Sequence, residues 1–116
     1  MYFLLNSDLT ASTISVTNGT NRTLQINNVK KIGNVCYVNL AFALGASSYP
    51  TDYALATFNN ITANGRGYLI GYITDEATNI STRELYIESG SNALKMAEYG
   101  LNANYSLIIQ GCFVTN

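Results

Sequence analysis

The chain has no histidine and no tryptophan, one proline, two cysteines and six basic residues among 116. Without histidine it lacks the commonest general base, the Ser-His and Cys-His nucleophile pairs and the usual zinc and iron ligands. Two cysteines do not make a structural zinc site. Six scattered Lys and Arg do not form the basic patch of a nucleic-acid binder, and they argue equally against an anionic membrane surface. No apolar run reaches the ~18 residues that a membrane span requires. "MYFLL" at the start is too short and too uncharged for a secretory signal. "GNVCYVNLAFALG" lacks a P-loop lysine, and "NGRGYLIG" lacks the strand–turn–helix setting of a dinucleotide site.

Charge is scarce as well: 11% of residues are charged and the net charge is −1, against about 25% charged in ordinary soluble domains. Uncharged polar groups take its place, with 15 asparagines, 12 threonines and 9 serines. Five Asn-x-Ser/Thr triplets, at Asn18, Asn21, Asn60, Asn79 and Asn104, follow from that composition. At this length a single domain, residues 1–116, is expected.

Seven acids remain for catalysis. Glu84 and Glu88 share one face of an alternating strand, which sets them roughly 13 Å apart, beyond the ~5–9.5 Å of glycosidase carboxylates. Asp75 and Glu76 read as a solvated turn rather than a calcium site. No credible catalytic set emerges, and no cofactor or metal is expected.

The texture is that of short β segments broken by Asn, Gly and Ser. Strands are expected at Thr13–Thr17, Thr23–Asn27, Lys30–Ile32, Val35–Leu44, Tyr53–Phe58, Gly67–Thr74, Thr82–Glu88 and Ser106–Thr115. "ALKMAEY", Ala93–Tyr99, contains strong helix formers. It follows the hairpin turn Gly90-Ser91-Asn92 and is short for an independent helix, so a strand is preferred. The expected class is all-β, an antiparallel sandwich or jelly roll.

The two longest strands are apolar on both faces. In Val35–Leu44, one side carries Cys36, Val38, Leu40, Phe42 and Leu44; the other carries Val35, Tyr37, Asn39, Ala41 and Ala43. At the C-terminus, Tyr105, Leu107, Ile109 and Phe113 oppose Ile108, Cys112 and Val114. Such strands need two covers, since exposed side chains of this size favour aggregation. One cover is the rest of the core. The other is a neighbouring subunit or, alternatively, the N-terminal segment Tyr2–Leu5. Cys36 and Cys112 read as two small buried apolar side chains, with no sequence feature demanding a disulfide.

Nine tyrosines in an Asn/Ser/Thr background make good contact surfaces, because the ring is large, stiff and amphipathic. Sugars present hydroxyls beside apolar C–H faces, which an aromatic platform edged by Asn, Asp and Arg suits. Candidate saccharide-binding residues lie in three loops: Tyr49, Asp52 and Tyr53; Asn64, Arg66 and Tyr68; Asp75 and Glu76, with Asn79 beside them. The case requires those loops to gather at one end.

From Leu24 onward the order of motifs resembles the C-terminal head domains of phage and prophage tail fibres and receptor-binding proteins. Lys31, Gly33, Asn34 and Val35 match a "K-x-G-N-V-V-x-V" strand, with Cys36 where a second valine is common. Leu85, Tyr86, Ile87, Gly90 and Leu94 fit a "G-x-L-Y-I…G-x-L" hairpin. Leu101, Ala103 and Asn104 fit the step into a last strand that ends "TN", with Leu107 at the later aromatic position. The resemblance implies a β-sandwich head on the virion tail, usually a homotrimer, that recognises host cell-surface polysaccharide without catalysis. It makes the adjoining protomers the second cover, through the outer faces of strands 35–44 and 105–115. Residues 1–20 would be an N-terminal arm or a linker to a stalk. Binding loops vary among such heads, so no site residue is carried over. Two other readings stand beside it: a structural baseplate or capsid-decorating sandwich, and a small monomeric carbohydrate-binding module.

Overall fold

The computed structural model of the chain describes residues 10–18, 22–44, 53–74, 80–96 and 106–116, with the backbone alone for Arg22, Leu44, Tyr53, Ile80 and Ser81. The described residues form nine strands: β1 (Ala11–Thr13), β2 (Val16–Asn18), β3 (Arg22–Ile32), β4 (Val35–Leu44), β5 (Tyr53–Phe58), β6 (Gly67–Thr74), β7 (Ile80–Ile87), β8 (Ala93–Met96) and β9 (Ser106–Val114). All belong to one antiparallel sheet in the order β1-β3-β4-β9-β6-β7-β8-β5-β2, curled into a half-barrel.

Three strands begin and end where the sequence places them, β4, β5 and β6. Each is an apolar alternation bounded by turn-forming residues. The expected segments Thr23–Asn27 and Lys30–Ile32 are instead parts of one 11-residue strand, β3. An irregularity between Leu24 and Ile26 interrupts its register with β4. Leu24 lies opposite Phe42 and packs on the core, whereas Ile26 lies opposite Ala41 and is 45% exposed. A single extra residue thus sends two side chains that ordinary alternation would place on one face to opposite faces.

"ALKM" pairs with β5 and with β7. Pairing on both sides satisfies its backbone and overrides its helix propensity; residues 97–99 lie outside the described region. Leu94 and Met96 of this strand are fully buried.

The two ends of the strand order are neighbours in sequence. β1 pairs with β3 and β2 pairs with β5, and only Ile14 and Ser15 separate them. The Ile14 amide donates to the Val29 carbonyl at 2.9 Å, and the Asn59 amide donates to the Ser15 carbonyl at 2.8 Å. Asn59 Nδ2 also donates to Ser15 Oγ at 3.1 Å and Thr17 Oγ1 at 3.0 Å. Residues 11–18 therefore form a strap that pairs with Lys30–Ile32 at one margin of the sheet and then with Ala56–Phe58 at the other, which leaves a three-residue strand outermost on each side.

The concave side holds the core. Cys36, Leu40 and Phe42 of β4, Leu107 and Ile109 of β9, Leu85 and Ile87 of β7, and Leu55 and Phe58 of β5 are all fully buried. Phe58 and Phe113 pack at 5.4 Å between ring centres, tilted by 41°. Each such side chain contributes roughly 1.5–3 kcal/mol by leaving water.

Candidate functional site

The cysteines divide between the two faces. Cys36 is fully buried on the concave side, but Cys112, expected to be buried, is exposed. Its side of β9 also carries Gln110 and Val114, and both of those residues are exposed. Both thiols are free. Burial pushes the Cys36 thiol up to about 11, partly offset by the Lys31 charge.

The convex face is where the apolar excess shows. In the register of the sheet, Ile26, Ala41, Ile108 and Tyr72 form one row across β3, β4, β9 and β6. Ile26 is 45%, Tyr37 48% and Val114 44% exposed. Within the row Ala41 is buried and Ile108 half-buried, and the two ends, Ile26 and Tyr72, are exposed. Tyr2–Leu5, weighed as a cover, lies outside the described residues, as does Tyr105.

Next to that row, β6 alternates cleanly. Leu69 and Ile73 face the core, and Tyr68, Ile70 and Tyr72 face outward at 57%, 52% and 36% exposure. Across from them on β7 stand Tyr86, Glu84 and Thr82 respectively. Together with Leu69 and Arg83, five of these six residues line an open groove of about 440 Å³; Tyr86 lies at its end, as the cross-strand partner of Tyr68. Tyr86 is only 4% exposed; Tyr68 and Lys95 flank it on the neighbouring strands and Arg66 lies over it, with the guanidinium carbon 4.2 Å from the ring centre. The same carbon is 5.4 Å from the Tyr68 ring centre.

Short hydrogen bonds set the position of Arg66. The Ala63 amide donates to Ser91 O at 2.9 Å, and the Gly90 amide returns to Ala63 O at 2.8 Å. The Asn64 amide donates to Val114 O at 2.8 Å, and the Gly65 amide donates to Ser89 Oγ at 3.2 Å. The loop before β6 is thereby tied to the β7–β8 turn and to β9.

The structure brings together two of the expected saccharide residues, Arg66 and Tyr68. Asn64 is exposed and contributes its backbone to the loop. Tyr49, Asp52, Asp75 and Glu76, with Asn79, lie outside the described residues, and the Tyr53 backbone opens β5. The strand directions separate the loops. Residues 45–52 follow the end of β4, and residues 75–79 follow the end of β6, where Ala43, Ser106 and Thr74 pair. Asn64 and Arg66 precede the opposite end of β6. Glu88 takes part in an exposed ion pair with Lys95 at 3.0 Å, of the kind that contributes little stability. Among the described residues no group of three or more Cys, Asp or Glu is placed to hold a metal ion.

Sequence reasoning missed Tyr86, Ile70, Tyr72, Thr82, Arg83 and Glu84 as a set. The available signal was the shared alternation of "GYLIGYIT" and "ISTRELYI": two tyrosines four apart on one strand, facing polar residues on the next. Comparison with known proteins finds no matching family model, no matching curated protein and no matching solved structure.

Proposed function

We propose that the chain is a non-catalytic receptor-binding head of the phage tail-fibre type, whose identical copies associate in threes and whose exposed groove takes a host surface saccharide. On this reading the half-barrel is the curled form of a jelly-roll-like sandwich, and the protein acts at the virion tail, outside the host cell. The observation that carries it is the division of the convex face. β4 and β9 present Tyr37 and Val114, together with the half-buried Ile108, as a surface for another protomer, while β6 and β7 present Tyr68, Ile70, Tyr72, Thr82 and Glu84 as a groove. Tyrosine rings offer apolar faces to sugar C–H groups, and the Thr and Glu oxygens accept from sugar hydroxyls.

Binding to host cells or to a glycan array tests this reading. Tyr68→Ala, at an exposed position, should weaken binding at least tenfold while leaving the assembly intact. Unchanged binding would remove the groove from the proposal. If no host cell and no glycan binds, but the copies still associate, the purely structural role in a baseplate or capsid replaces it.

A further inference from the structure

Resting on the saccharide reading, we propose that the groove selects an acidic saccharide, and that Arg66 grips its oxyanion, a carboxylate or a phosphate. Among the described residues Arg66 has no carboxylate partner, and its contacts are the faces of Tyr86 and Tyr68 at 4.2 Å and 5.4 Å. A guanidinium stacked on a ring spends its flat face and keeps its in-plane N–H edge free, and that fork matches the two oxygens of a carboxylate or phosphate. The stack also removes water from one side of the cation, which strengthens its attraction for an anion.

Two further features favour this assignment. The backbone before Arg66 is fixed by the bonds from Ala63, Asn64 and Gly65 to Ser91, Val114 and Ser89. The backbone leading into Arg66 is therefore set before a ligand arrives, and its guanidinium already lies over the Tyr86 ring, which lowers the ordering cost of binding. The other cations nearby already have partners within the sheet. Lys95, across from Tyr86, is occupied by Glu88, and Arg83 Nη1 donates to the Thr82 carbonyl at 2.9 Å. Glu84 stands two residues from Tyr86 on the same face, roughly 7 Å along the strand. It would accept from hydroxyls of the sugar and repel a second anion. The groove thus has a cation at its Tyr86 end and a carboxylate midway along it, opposite Ile70, and an acidic sugar has one orientation that suits both.

A printed array of bacterial surface polysaccharides, grouped as uronate-bearing, phosphate-bearing and neutral, tests the assignment with the wild-type chain, Arg66→Gln and Arg66→Lys. The wild type should bind anionic members at least tenfold more tightly than neutral ones, and added salt should weaken that binding. Whichever anionic group is retained identifies the oxyanion as carboxylate or phosphate. Arg66→Gln should lose the preference. Arg66→Lys, whose stem still covers Tyr86 and whose charge remains, should keep only part of it. Selective binding of neutral glycans, or anionic binding indifferent to both substitutions, overturns the assignment while leaving the saccharide groove in place. Binding to no glycan at all removes the saccharide reading and this inference together. Thermal melting of each variant separates lost recognition from lost folding.

Discussion

Cys112 stands across the strand pair from Tyr37, and Cys36 stands across from Phe113, so the two thiols sit one step out of register on adjacent strands and face opposite sides of the sheet. They cannot reach each other without turning a strand over. Alkylation at mildly alkaline pH should therefore label Cys112 at once and Cys36 only as the protein unfolds. Mass spectrometry of the labelled peptides reads this directly; equal rates would mean that the sheet opens readily at β4.

Cys36 also gives stability a pH dependence. Its folded pKa is raised from 9.0 to about 11, by burial above all. Between those values the unfolded chain binds fewer protons than the folded one, so stability falls as pH rises. The contribution is fully present below about pH 9 and is lost as pH climbs towards 11, up to about 2–3 kcal/mol. Urea unfolding at pH 8 and pH 10.5 should show this fall in the wild type and a smaller one in Cys36→Ala.

Asn59 fastens the strap to β5. Its side chain donates to the hydroxyls of Ser15 and Thr17, and its amide to the Ser15 carbonyl. Asn59→Ala should cost about 1–2 kcal/mol and should release Ile14 and residues 16–18 first. Hydrogen exchange would show faster exchange in β1 and β2 with β4 and β9 still protected. Uniform loss of protection would make the strap part of one cooperative unit with the core.

Gly111 combines a positive φ with a close approach to the core. Its φ is +146°, and an added Cβ would stand 2.5 Å from a Leu69 methyl. Gly65 has φ +83° but open space around it. Gly111→Ala should destabilise by about 2–4 kcal/mol, through backbone strain and overpacking together. Gly65→Ala should cost only about 1–2 kcal/mol. Chemical denaturation ranks the two, and a reversed order would contradict the packing described for β9 against β6.

Much of the fold was legible because local alternation and turn residues set strand boundaries. Gly33-Asn34, Asn59-Asn60 and Gly90 mark chain reversals whose backbones require or tolerate positive φ at Gly33, Asn60 and Gly90. Cys112, expected to be buried, lies on the side of β9 that carries the exposed Gln110 and Val114. Other features depend on partners far away in sequence. The extra residue near Leu24 is visible only against β4, and the strap only once β3 and β5 are known to be the sheet's margins. Tyr86 falls under Arg66 because β6 pairs with β7 in one register and the loop before β6 is tied to the β7–β8 turn. It shares a strand face with the exposed Glu84 and Glu88, yet is itself buried, with Arg66 over its ring. The groove depends on the same register: its lining residues come from two strands that meet only once β6 pairs with β7.

The convex face of β4 and β9 is proposed to be a contact between identical copies. Sedimentation equilibrium on the wild type and on Ile108→Lys tests it most directly. Ile108 lies midway along the row between Ala41 and Tyr72, where a lysine would place a charge in the contact while its stem reaches solvent. The account predicts a wild-type mass of three times 12.6 kDa and a folded Ile108→Lys protein that sediments as a single chain. A wild type that stays a single chain at every concentration would contradict it.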